Sequence, residues 1–388
     1  MFSSPGKKIL VLLIVITGIP VVSFLLWSIS PKKEMEILIV NKTASSASRS
    51  EHKALFWILR HHRIARSNGK LYNHKRDYYG FMPMRPYRDR HFEIKGIRVS
   101  DIDSLAGHYD MAWFVDNHGV SFNDWYGDPS SGLQTRLIDG GLNQGDYAFI
   151  DEMLKRDKLV IAEFNFFANP TSDLVRRKAE ELFEIYWSGW SGMWYDNLAA
   201  GNPDIPSWLV NAYAEHNDRD WNYSKPGIVL YSHDLNVVVL EKDTHLDIEV
   251  PLLVTGPEYA AEYGVADVVH FPYKFDISYA ADPGKVVSSY LLGVNREGKR
   301  LLESHNIPVR FPASIANPGN RQVHFLAGNY SDYEQCLFLS VFRGIRSLDF
   351  LLYRDAVGDR GEFFRTWYYP YVSKVISDYY ESIHNTGL

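Results

Sequence analysis

Apolar positions along this chain fall into three patterns. The first is one long uncharged run, Ile9 to Ile29, with Lys7 and Lys8 before it and Pro31, Lys32 and Lys33 after it. A span-length apolar run of ~20 residues predicts a membrane helix. The second is a set of short runs rich in branched residues, which predict buried strands. They are "MEILIVNKT" (Met35–Thr43), "HYDMAWFVDNHGV" (His108–Val120) and "LVIAEFN", from Leu159 to Asn165. The third is helical spacing. Ala54, Leu55, Ile58 and Leu59 share a face, an amphipathic helix is expected from about Gln144 to Arg156, and "NPTSD" opens another through "LVRRKAEELFEIY".

Strands alternating with helices predict an α/β fold with a doubly wound, mostly parallel sheet. The polar, Tyr-rich residues from Ala65 to Arg90 read as a surface excursion. After Trp187 the texture changes. "WSGWSGMWYDNL" reads as a loop, "GIVLYSHDLNVVVLEKD" as a hairpin turning at Asp234–Asn236, and further short strands follow. A helix is expected at Glu297–Ser304, and the tail reads as an aromatic-faced helix interrupted at Pro370. The expected organisation is a cytoplasmic tail at 1–8, an anchor at 9–29, an α/β domain at 30–198 and a strand-rich second half at 199–388.

Composition alters this picture in two ways. The net charge of −6 argues against a nucleic-acid partner, which needs a basic face. The single cysteine, Cys336, rules out an intramolecular disulfide and reads as a buried thiol among apolar neighbours. With its short leading tail inside, the anchor predicts a single-pass membrane protein whose large domain is extracytoplasmic, in the cell envelope.

Candidate chemistry gathers at strand ends, where open α/β sheets place their ligands. Asp116, Asn117 and His118 follow one strand, Glu163 and Asn165 follow another, and Asn329 and Asp332 follow the strand "HFLAGNY". Asp116, Glu163 and Asp332 are the expected acid–base residues. Asn117, His118, Asn165 and Asn329 are expected binding groups. Trp187, Trp190 and Trp194, interleaved with small residues, suit stacking on sugar rings, and Asp196 beside them suits hydrogen bonding. No phosphate-cradling Gly loop, G-x-S-x-G elbow or H-E-x-x-H motif occurs. Neither a metal nor a cofactor is expected.

The order of a strand ending in Asp116, a Gly-containing loop, a helix and a strand entering the sharp turn "EFNFF" resembles the glutamine-amidotransferase-like superfamily, including its trehalose-utilisation-type branch. The resemblance covers about residues 35–198 and is one of fold pattern. It implies a flavodoxin-like, amidotransferase-like sheet. Members that hydrolyse glutamine carry a nucleophilic Cys in that turn. No residue here matches it, and Cys336 lies in the other half, so glutamine hydrolysis is not expected.

Two functions follow as expectations. One is a membrane-anchored envelope protein that binds a carbohydrate, with carboxylate-based hydrolysis or modification of it as the enzymatic form. The other is a non-catalytic amidotransferase-like sensor or scaffold, partnered by an envelope protein.

Overall fold

The computed structural model describes residues 5–127, 136–317, 322–348 and 357–385, with side chains from Thr17 onward. Five strands form a parallel centre, in the order Val323–Leu326, Leu159–Ala162, Met111–Asp116, Ile37–Asn41 and Tyr79–Pro83. The Leu159, Met111 and Ile37 strands are buried at every position. Burial on both faces is why they read as unbroken apolar runs.

The sheet as a whole is mixed, which corrects the expectation of a doubly wound, mostly parallel one. Phe92–Lys95 pairs antiparallel beyond Tyr79–Pro83. On the other side Arg310–Asn317, Val286–Leu291, Leu252–Thr255 and Val268–His270 continue the sheet antiparallel, ten strands in all. The Arg310 and Val323 strands, like the Tyr79 and Phe92 strands, are joined by connections of a few residues. Such connections allow hairpins and are too short for parallel crossovers. The Tyr79 strand also lies inside the stretch expected to be a surface excursion, and its Phe81 is fully buried.

A second sheet runs Val237–Glu241, Gly227–Ser232, Ile185–Tyr195 and Lys274–Ala280, all antiparallel. The Trp-rich segment is therefore a strand with a bulge between Trp187 and Trp190, and not a loop. Its small residues serve close packing. A Cβ on Gly192 would stand 2.6 Å from both Leu230 Cδ2 and Phe275 Cζ. One face of this sheet (Trp194, Leu230, Phe275, Ile277) joins the main core, and the other (Tyr195, Val229, Val237, Val239) packs a smaller core with Leu209 and Tyr213 of the helix Ser207–Asn217.

The N-terminal helix spans Pro5–Ile29. Among the described residues no helix is long and apolar enough to cross a membrane. The last turns of the N-terminal helix are tied to the folded body instead. Trp27 Nε1 donates to the carbonyls of Arg60 (3.3 Å) and His61 (3.2 Å), and Ser23 Oγ donates to Arg343 O at 2.7 Å. The expected anchor at 9–29, membrane partner and single-pass location are corrected accordingly. At the other end, Pro370 does not interrupt the tail. A π-helical turn at Phe364–Tyr368 leads into the helix Tyr369–Asn385, which absorbs a residue lacking its N–H. Cys336 is exposed rather than buried, because it stands just outside the short turn Leu337–Val341.

Candidate functional site

The parallel strands deliver their carboxyl ends to one edge of the sheet, and strand Lys274–Ala280 of the second sheet crosses close by. Asp276 N donates to Ala327 O at 2.7 Å, and Asn329 N donates to Lys274 O at 3.0 Å. Through that junction Asp116, Asn165, Asp276, Asn329 and Asp332 become neighbours.

Asp116 is 3 % exposed. Its Oδ1 accepts from the His118 backbone N–H at 2.8 Å and from Asn165 Nδ2 at 3.3 Å. Its Oδ2 accepts from Asn329 Nδ2 at 3.4 Å. The same Asn329 nitrogen stands 3.5 Å from Asp332 Oδ2, which also accepts from the Tyr273 hydroxyl at 2.6 Å. One amide nitrogen thus bridges two carboxylates and holds those oxygens at most about 7 Å apart. Among the described residues the carbonyl oxygen of that amide is buried and without a hydrogen-bond partner, as are both side-chain polar atoms of Asn117. Buried polar groups are ordinarily paired, so an unpaired one beside two carboxylates marks a place where a ligand can complete the set.

Asp276 lies beneath this pair. It accepts from Ser191 Oγ at 2.6 Å and from the Asn165 backbone N–H at 2.8 Å. Asn165 can present that N–H because its backbone adopts φ 59°, a left-handed conformation that Asn tolerates. Burial pushes the Asp276 carboxyl up to about 7, and the nearby Asp116 adds to the rise. Asp116 is itself raised by burial, against the opposing pull of His118 and Lys274. Glu51 completes the group from the short turn Ser50–His52. Burial, reinforced by the nearby Asp332 and Asp116, raises it to about 7, and among the described residues its Oε2 has no hydrogen-bond partner. Basic side chains frame the cluster. Lys274 is half-buried, His118 is exposed, and the Arg360 guanidinium sits 3.6 Å over the Tyr273 ring while donating to Asp332 O.

Glu163 follows a different course. It is fully buried. Its Oε1 accepts from Trp113 Nε1 (2.8 Å), Ser331 Oγ (2.8 Å) and the Tyr368 hydroxyl (3.0 Å), and its Oε2 accepts from the Ser331 N–H at 3.0 Å. Burial raises it to about 7, and the four donors oppose that rise. With its lone pairs met by Trp113, Ser331 and Tyr368, Glu163 ties down the chain next to Asn329 and Asp332.

The tryptophans stand elsewhere. Trp194 is buried in the main core. Trp187 donates its indole N–H to Trp190 O at 2.9 Å beneath the Arg176 guanidinium. Trp190 lines a separate cavity of ≈ 320 Å³, edge-on to His305. Asp196 is exposed just past the strand end. None of these four is hydrogen-bonded to the carboxylate cluster among the described residues.

Glu51 and Asp276 are absent from the sequence-derived set. Both had a signal: Glu51 follows the strand Ile37–Asn41, another parallel strand end, and Asp276 is the one acid within the apolar run "KFDISY". Among the described residues no group of three or more His, Cys, Asp or Glu side chains is spaced to hold a metal ion. No family model matches the chain, and no curated protein sequence matches it either.

Proposed function

We propose that the strand-end cluster binds a carbohydrate and hydrolyses a glycosidic bond in it by carboxylate acid–base chemistry. The observation that carries this reading is the Asn329 side chain, whose nitrogen joins Asp116 to Asp332 while its oxygen remains buried and unmet. Glycoside hydrolysis needs two carboxyl groups across a sugar, ~5–5.5 Å apart when one attacks carbon and ~6.5–9.5 Å apart when a water intervenes. Asp116 and Asp332, with oxygens at most about 7 Å apart, set the scale of the cluster, and Glu51 lies close enough to both for their charges to raise it.

Roles follow from charge. Glu51 keeps its proton to about pH 7, so it is the group able to give one to the departing glycosidic oxygen. Asp332, at the half-buried rim, supplies the carboxylate that takes a proton from water or bonds the anomeric carbon. Asn329 and Asn117 supply amide groups for sugar hydroxyls. Asp276 and Glu163 position the loops that carry these residues. No membrane attachment enters this reading.

A second reading, a non-catalytic sensor or scaffold, draws support from Asp116 and Asp276, both of which are already engaged by internal donors. Screening a panel of nitrophenyl glycosides together with a glycan array separates the two. Asp332→Asn should leave the melting temperature near that of the parent and lower turnover by ~10²-fold or more. Saturable glycan binding without turnover on any glycoside would favour the sensor. Neither binding nor turnover would remove the carbohydrate reading.

A further inference from the structure

A second site lies where the N-terminal helix meets the body, and it shares no lining residue with the strand-end cluster. A cavity of ≈ 350 Å³ opens among Trp27, Lys33, His61, His62, Arg63 and Arg343. That volume lies within the range of small-molecule pockets. Among the described residues no acidic side chain lines it, and Lys33, Arg63 and Arg343 form no ion pair with a carboxylate. In a chain of net charge −6, three cations gathered without a counter-charge are a local reversal of the average. Like charges held together raise one another's energy unless an anion joins them.

The cations are held in place by neutral groups. Arg63 donates through NH1 to the carbonyls of Trp27 and Ser28, and its guanidinium lies 5.0 Å over the Trp27 ring. Among the described residues its Nε is buried and has no hydrogen-bond partner. Arg343 NH1 donates to Ser30 Oγ at 2.6 Å. Lys33 Nζ stands 5.2 Å from the centre of the Tyr380 ring and makes no side-chain hydrogen bond among the described residues. The histidine walls are fixed and uncharged. His61 Nδ1 lies 2.9 Å from Ser340 O, His62 Nε2 lies 2.8 Å from Ser373 Oγ, and burial, reinforced by neighbouring positive charges, depresses both imidazoles. Three preplaced cations with spare N–H donors, one a planar guanidinium, match the charge and oxygen count of a phosphate group. The remaining volume, walled by Trp27 and the two imidazoles, leaves room for the organic part of a phosphate ester.

We propose that this cavity binds a small phosphorylated molecule, with Lys33, Arg63 and Arg343 receiving the phosphate group. The test uses the full chain, with glycerol 3-phosphate, inorganic phosphate and sulfate compared against chloride at equal ionic strength. Isothermal titration and thermal shift supply the readings. Saturable binding of glycerol 3-phosphate is expected, tighter than that of sulfate. Lys33→Gln should weaken it at least tenfold, and Arg343→Gln likewise. Arg63→Gln removes contacts to the helix, so its result counts only where its melting temperature without ligand matches the parent. Lys33→Gln reads the site without that complication. Equal affinity in parent and Lys33→Gln would overturn the proposal, as would binding indistinguishable from that of chloride.

Discussion

Glu163 and Ser331, 168 positions apart in sequence, are joined by two hydrogen bonds, from the Ser331 backbone N–H at 3.0 Å and from its hydroxyl at 2.8 Å. The pair ties the end of one parallel strand to the loop beyond its neighbour. Asn329 and Asp332 flank Ser331 in that loop, so the carboxylate pair above is held in place through Glu163.

Removing the charge while keeping the shape tests this dependence. In Glu163→Gln one of the two acceptor oxygens becomes a donor, and at least one of the Trp113, Ser331 and Tyr368 donors loses its partner. A buried donor left unpaired costs about 1–3 kcal/mol. The expected outcome is a lower midpoint in urea unfolding, with ligand affinity weakened through the displaced loop. Unchanged stability together with abolished turnover would instead make Glu163 a reacting group.

Asp276 makes a parallel case with a larger expected loss. Asp276→Leu leaves the Asn165 N–H and the Ser191 hydroxyl unmet in a buried junction. Two unsatisfied groups predict a loss of about 2–6 kcal/mol. Asp276→Asn, which keeps one acceptor, should lose clearly less. A Leu variant as stable as the Asn variant would show that the junction does not rest on those bonds.

These relationships explain which features could be read from the chain beforehand. Met111–Val115 and Leu159–Ala162 announce themselves because central parallel strands bury both faces, and the residues that follow them fall at the sheet edge by topology. Asp116, Asn165, Asn329 and Asp332 were legible for that reason. Asp276 stands out in the sequence only as the one acid in an apolar run, and its place in the cluster follows from how a second sheet docks on the first, a contact no local pattern encodes. The Trp-rich strand misled for a related reason. Its Gly and Ser look like loop spacers, but Gly192 is small because Leu230 and Phe275 press against it. The apolar run at the N-terminus misled because hydropathy does not record that Trp27 and Ser23 dock onto the body.

Gly328 sits directly before Asn329. A Cβ there would stand 2.3 Å from both Tyr290 Oη and Tyr330 Cε1. Those two buried tyrosines are linked hydroxyl to hydroxyl at 2.9 Å, and Tyr330 also donates to Ala313 O, so neither side chain is free to withdraw. Overpacking of this kind costs about 1–3 kcal/mol. Gly328→Ala should lower the thermal midpoint and, by shifting Asn329, weaken ligand binding. A stable variant with parental affinity would show that the tyrosines yield.

Cys336 offers a simple check on the surface. It is the chain's one thiol and it is exposed. A maleimide should label the folded protein once, to completion, without a change in melting temperature. Labelling only after denaturant is added would contradict its exposure.

The last prediction concerns Glu51, where protonation links stability to function. Burial holds its folded-state value at about 7, against an ordinary 4.5. Between those values the folded protein binds a proton that the unfolded chain has released. Rising pH therefore favours unfolding, by up to about 1.4 kcal/mol per pH unit. The cost is absent below about pH 4.5 and complete above about pH 7. Asp276 and Glu163 are raised in the same way, so the parent protein carries several such slopes at once. Glu51→Gln removes one of them. Measured by thermal unfolding at intervals from about pH 5 to about pH 8, the melting temperature of Glu51→Gln should rise relative to the parent as pH increases. If Glu51 is also the proton donor, parental turnover should fall on the alkaline side of about pH 7, and the variant should lack turnover at every pH. A melting-temperature difference that stays flat across this range would mean that Glu51 ionises as an ordinary carboxylate, and its role as the acid would be withdrawn.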